Sequence, residues 1–182
     1  FIVSGTVGAL TANYEGVVNH LDGDYRGIVA PVHITGDLYR VQIGEGIAPT
    51  GTGGFAQAGI FVAGEIRNVT NQGQGSDIHG DIFGSLGIRR IDLIHGSIIN
   101  ADIGTPMPEY FAALCEFSFG GLFSGNIGQI NLTGVGGIIG SRFQAGRIGG
   151  ITVKNGFGVF NSIIGSTGGD GTIGDVVVDG FG

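Results

Sequence analysis

Gly125-Asn-Ile-Gly-Gln-Ile-Asn-Leu132 is the stretch on which the fold turns. Its apolar residues, Ile127, Ile130 and Leu132, are separated first by a step of three and then by a step of two. A step of two keeps side chains on one face of a strand. A step of three in a flat strand would send Ile130 to the face opposite Ile127. A corner between them removes the conflict, because two strands meeting at an angle can both aim at one apolar core. Gly128 stands at that step and is expected to take the positive φ of a sharp corner without steric cost. The octet reads as strand, corner, strand.

The same pattern, Gly-x-apolar-x-x-apolar-x-apolar, recurs along the chain. GDLYRVQI from Gly36, GRIGGITV from Gly146 and GTIGDVVV from Gly171 repeat it closely, with Gly149 and Gly174 at the corner step. GTVGALTA from Gly5, GDYRGIVA from Gly23, GEIRNVTN from Gly64, GDIFGSLG from Gly80 and GSIINADI from Gly96 are looser copies. Repetition at this scale marks a stack of small units, each burying its apolar side against its neighbours. The expected architecture is all-β, a parallel β-helix or β-solenoid with coils of irregular length, forming a single domain over 1–182. Strands of successive coils would lie about 4.8 Å apart. The alternative is a glycine-rich β-sandwich, against which stands the scarcity of Asn-Gly and Asp-Gly hairpin signals.

Two insertions interrupt the array, at about 44–60 and 104–122. The first reads as a loop. The second holds the single short helix expected, near 106–117, with Thr105 as cap, Pro106 or Pro108 in the first turn, and Tyr110, Leu114 and Phe117 on one apolar face. Cys115 falls in that helix and reads as a packing residue, since no base accompanies it as a nucleophile would require. As the sole cysteine it builds no internal disulfide.

Composition narrows the function. Of 182 residues 40 are glycine, about three times the usual share, and only 4 are proline, which rules out collagen. Hydrophobic residues make up 42%, too many for a disordered chain. Eight Lys and Arg against 15 Asp and Glu give a net charge of −7, with no basic stripe to neutralise phosphates, so nucleic acid is not an expected partner. An anionic membrane surface is disfavoured on the same ground, and no apolar run reaches the roughly 20 residues of a membrane span. No signal-peptide pattern opens the sequence; Phe1 leads directly into strand-like residues, as in a chain whose leader has been removed. With charged residues at only 13%, these features lean towards an extracellular or cell-surface protein.

Chemistry-bearing residues are few. Asp24, Asp37, Glu65 and Asp81 each follow the leading glycine of a copy; on neighbouring coils they would form an outward acidic column able to hold Ca²⁺. Arg26, Arg40 and Arg67 lie in the same copies and offer screening instead. His79 and His95 both precede a repeat glycine and read as a structural ladder, or as part of a metal site lacking an evident third ligand. Asn68-Val-Thr and Asn131-Leu-Thr are sequons for N-glycosylation. Arg89, Arg90 and Asp92 form the only cluster suggestive of a polysaccharide lyase or hydrolase, and they read equally well as a charged corner.

GNIGQINL, GRIGGITV and GTIGDVVV resemble glycine-rich β-solenoid repeats of bacterial and archaeal surface proteins. The tight form of the resemblance covers 125–178, and it implies a passive extracellular scaffold or adhesin without transferring any functional residue. Both ends of the array look uncapped, with strand-like sequence near Phe1, Ile2, Val3 and Val7 and again at Val176 and Val178. An open strand edge invites pairing with another chain. The expectation is therefore a structural subunit of an extracellular filament, sheath or surface layer, self-assembling head to tail through those ends without enzymatic activity. An adhesin or glycan-binding stalk is the second reading, and a polysaccharide-processing enzyme the third.

Overall fold

The computed structural model describes residues 2–12, 31–43, 59–71, 77–104, 125–166 and 171–180. These residues are all-β, with no helix among them, and their strands form three sheets. Sheet A runs in the order β1 (Ile2–Val3), β3 (Pro31–Ile34), β5 (Gly59–Val62), β8 (Asp81–Gly84), β11 (Asp102–Gly104), β14 (Arg142–Ala145), β17 (Ile163–Ser166). Sheet B runs β2 (Leu10–Ala12), β4 (Val41–Ile43), β7 (Val69–Asn71), β9 (Gly87–Ile94), β12 (Asn126–Thr133), β15 (Arg147–Gly156), β18 (Val176–Gly180), with β6 (Glu65–Ile66) also on β9. Sheet C is β10 (Ile98–Ile99), β13 (Gly137–Ile139) and β16 (Gly158–Phe160). Every pairing among these strands is parallel. That corrects the sandwich alternative, which needs antiparallel hairpins.

The chain visits the sheets in turn. β9, β10 and β11 lie in B, C and A; β12, β13 and β14 repeat the circuit, and β15, β16 and β17 repeat it again. Each circuit is one layer. Its inward residues meet those of the layers on either side in register, as Ile130 does with Ile91 and Ile151. The core is one continuous cluster drawn from all three sheets, including Ile130 of sheet B, Ile138 of sheet C and Phe143 of sheet A.

The corner read from the sequence is present in sheet B. Ile88 and Ile91, Ile127 and Ile130, Ile148 and Ile151 are all buried, while Arg89, Arg90 and Gln129 between them are exposed. The ladder skips this step: Ile127 pairs with Ile148 and Gln129 with Gly150, with no pair between Gly128 and Gly149. The expected reason for the glycines is corrected, because none of Gly128, Gly149 and Gly174 has a positive φ. Closeness of the layers selects them instead. A Cβ at Gly128 would stand 2.0 Å from the carbonyl oxygen of Arg89, and one at Gly174 only 1.8 Å from that of Gly149.

Left-handed backbone occurs at two other corners. Between sheets B and C it is taken by His95, Gly134 and Asn155 in successive layers, and between C and A by Asn100, Gly140 and Asn161. Asparagine and glycine tolerate this conformation best, which accounts for most of both columns.

The structure also re-registers two copies. Val7, Leu38, Ile66, Ile88, Ile127, Ile148 and Ile173 occupy one inward position in successive layers of sheet B. The copies begun at Gly80 and Gly96 are not in that series: Asp81–Gly84 belongs to sheet A, and Ile98–Ile99 to sheet C. Their place is taken by GIRRIDLI from Gly87, which has Leu86 where the pattern expects its leading glycine. Strand β5 already occupies Gly59–Val62, so the first insertion ends before residue 60. The remainder of both insertions, the helix expected over 106–117, Cys115 and the copy from Gly23 lie outside the described residues.

Candidate functional site

The two ends of the stack are the site best defined by the structure. Sheets A and B both begin at the N-terminal strands β1 and β2 and both finish at β17 and β18. In β18, Val176 and Val178 stand in register with Ile151 and Val153 of β15. Ile151 and Val153 are fully buried, whereas Val176 and Val178 are 45% and 49% exposed. These valines occupy, in the last described layer, positions that are core one layer earlier. Ile173, bridged to buried Ile148, is exposed in the same way, whereas Ile163 of β17 is exposed on the outward row with Arg142. At the opposite end Val3, Val7 and Leu10 are partly buried and pack against the core. Ile2 is paired with His33, while Phe1 lies outside the described residues. The assembly residues read from the sequence thus divide between the two ends. Ile173 was missed there, although it is an apolar residue within the last strand-like stretch.

Of the acidic column, Asp37 and Glu65 stand together among the described residues and Asp81 does not join them. Asp24 lies outside the described residues. Asp37 and Glu65 are neighbours in adjacent layers, but the Asp37 carboxylate accepts the Glu65 backbone N–H at 2.9 Å. Glu65 is held by two nitrogens of Arg89, the nearest contact being 2.9 Å, and Arg67 lies 3.6 Å away over the ring of Tyr39. Asp81 sits on sheet A, where its carboxylate accepts the N–H of Asp102. The register partner of Glu65 is Gly87, not Asp81. No group of three or more His, Cys, Asp or Glu able to hold a metal occurs among the described residues.

The other candidates are likewise engaged. His79 lies 3.9 Å from Asp77, while His95 takes a left-handed corner and accepts the Val135 N–H on Nδ1, so the two histidines do not stack. Arg90 pairs with Asp92 inside β9, and Arg89 reaches back to Glu65, so the three residues do not converge on one point. Asn131 lies mid-strand in β12 and donates its Nδ2, the atom a glycan would take, to Asp92 at 2.8 Å. Asn68 precedes β7 with its Oδ1 buried and without a hydrogen-bond partner.

One arrangement was missed in the sequence reading. His33, Phe61 and Phe83 are register neighbours on the outer face of sheet A and stack with ring centroids 5.2 and 5.9 Å apart. All three are buried, and Phe61 and Phe83 form an apolar cluster separate from the core. Burial pushes the His33 imidazole below its ordinary pKa of 6.5. The recurrent PVHI, GIFV and DIFG was the available signal, since an aromatic ring stands third in each.

No protein-family model, curated protein or solved structure matches the chain. No helix among the described residues is long and apolar enough to cross a membrane.

Proposed function

We propose that this chain is a parallel β-solenoid that serves as a structural subunit of an extracellular filament, sheath or surface layer. The observation that carries the reading is that Val176 and Val178 are half exposed at positions that are core one layer earlier. Because every pairing is parallel, a second copy translated along the stack would set its β2 on β18 and its β1 on β17, continuing both sheets at once. Such a head-to-tail contact does not close on itself and so builds a fibre. Leu10 of the next copy would fall on Val176, since both belong to the inward row that runs through Val41, Val69, Ile91, Ile130 and Ile151.

Negative-stain electron microscopy of the full chain, with and without Ca²⁺, tests this. Long uniform fibres are expected, and Val178→Asp should abolish them while the circular dichroism spectrum is retained. Monodisperse particles from the unsubstituted chain under both conditions would overturn the reading. A glycan-binding stalk is the second reading. It is favoured by the outward row of Gln42, Thr70, Asp92, Asn131 and Thr152, which offers polar side chains along the outside of sheet B. Binding on a glycan array, lost on Asn131→Ala, would move the assignment there.

A further inference from the structure

Sheet C is apolar on both faces, and its outer row is exposed, whereas the outer Phe61 and Phe83 of sheet A are buried. Ile98, Ile138 and Val159 point into the core or pack against it. The alternate residues Ile99, Ile139 and Phe160 are also in register and point outward. Ile99 and Ile139 are partly exposed, Phe160 is 54% exposed, and Val135 at the adjoining corner is 47% exposed. A parallel sheet with two apolar faces is one that is covered on both sides.

Charge identifies the cover. The segments 96–101, 134–141 and 155–162, which build sheet C and its corners, contain no Asp, Glu, Lys or Arg. The outer face of sheet B carries Arg90, Asp92 and Lys154, and that of sheet A carries Asp102 and Arg142. Two copies of a chain with a net charge of −7 repel one another at most approaches. The outer face of sheet C is the strip on which they meet without opposing like charges, and there the exposed apolar side chains of each copy cover those of the other. A charged partner would find no complement on it.

We infer that the outer face of sheet C is a side-by-side interface between two copies of this chain, packed face to face through Ile99, Ile139 and Phe160. The contact is isologous, with the same patch on both partners, and two such sheets pack about 10 Å apart. It uses none of the end residues, so it stands apart from the end-to-end contact proposed above. If both contacts operate, the first makes a fibre and the second joins fibres laterally.

The test is sedimentation velocity on the full chain in the end-blocked Val178→Asp background, where lateral association is read alone. That variant is expected to sediment as a dimer, and adding Phe160→Arg or Ile139→Arg is expected to reduce it to the monomer mass. The thermal transition of each variant reports whether it is folded, and Phe160, being the more exposed, is the safer substitution. A monomeric end-blocked protein, or a dimer indifferent to both arginines, would overturn the inference. So would a monomer that co-sediments with phosphatidylcholine vesicles and releases them on Phe160→Arg, since the strip would then face lipid. Fibres absent from the unsubstituted chain, with the dimer still sensitive to Phe160→Arg, would sink the end-to-end reading and leave this one standing.

Discussion

Asn100, Gly140 and Asn161 turn the chain between sheets C and A with φ of 50°, 61° and 46° in successive layers. An ordinary L-residue resists this region by roughly 1–2 kcal/mol, whereas asparagine and glycine enter it readily. At the exposed Asn161, Asn161→Gly should therefore leave stability nearly unchanged and Asn161→Val should lower it by roughly 1–2 kcal/mol, read by urea denaturation. His33 makes a different residue-scale prediction. Its folded pKa lies below the ordinary 6.5 because burial disfavours the charged imidazole. Below 6.5 the unfolded chain takes up a proton that the folded chain resists, so stability falls as pH drops from that value towards the folded pKa, and is retained above it. Replacing His33 with Gln should flatten the stability profile across that window, and an unchanged slope would show that His33 does not set it.

The ladder in sheet B is the element whose strength the repeat determines. Ile130 is fully buried between Ile91 and Ile151, while Thr152 lies on the outward row of the same sheet. Ile130→Ala should cost about 2–5 kcal/mol, the usual range for truncating a buried aliphatic residue, and Thr152→Ala should stay within about 0.5 kcal/mol. Equal losses at the two positions would mean that the inward and outward rows are wrongly assigned. This alternation was legible beforehand, because a period of two and a single step of three are visible in one line of sequence. The assignment of Gly80 and Gly96 to the same series was not sound. Asp81–Gly84 and Ile98–Ile99 are equally apolar strands, and composition alone does not say which sheet a strand joins.

Across the whole molecule, stability is a sum over layers, each touching only its neighbours. Removing residues 1–10 takes away β1 and the first part of the N-terminal layer while leaving every later layer intact. The truncated chain should keep its circular dichroism spectrum and lose the fibres, as judged by electron microscopy. Normal fibres from that truncation would show that this end takes no part in assembly. The apolar ends were legible as uncapped edges in Val3, Val7, Val176 and Val178, but not that Val3 and Val7 pack against the core while Val176 and Val178 are half exposed. Val176 and Ile151 fill the same place in the repeat, and only their position in the stack makes one half exposed and the other buried.

Side-chain spacing was enough to read the described residues as repeating strands and to place a bend between the first two apolar residues of the copies in sheet B. Those features follow from side-chain spacing and glycine content, which are local. Which strands are neighbours was decided only in the tertiary structure, because parallel pairing joins residues far apart in the chain. That decision moved Asp81 to a different sheet from Asp37 and Glu65, parted His79 from His95 and placed three aromatic rings in one stack. It also left Ile99, Ile139 and Phe160 aligned on the outside of sheet C. The corner glycines show the same division, since their positions were plain in the sequence while the cause, a carbonyl of the next layer pressed against Gly128, exists only once the layers stack.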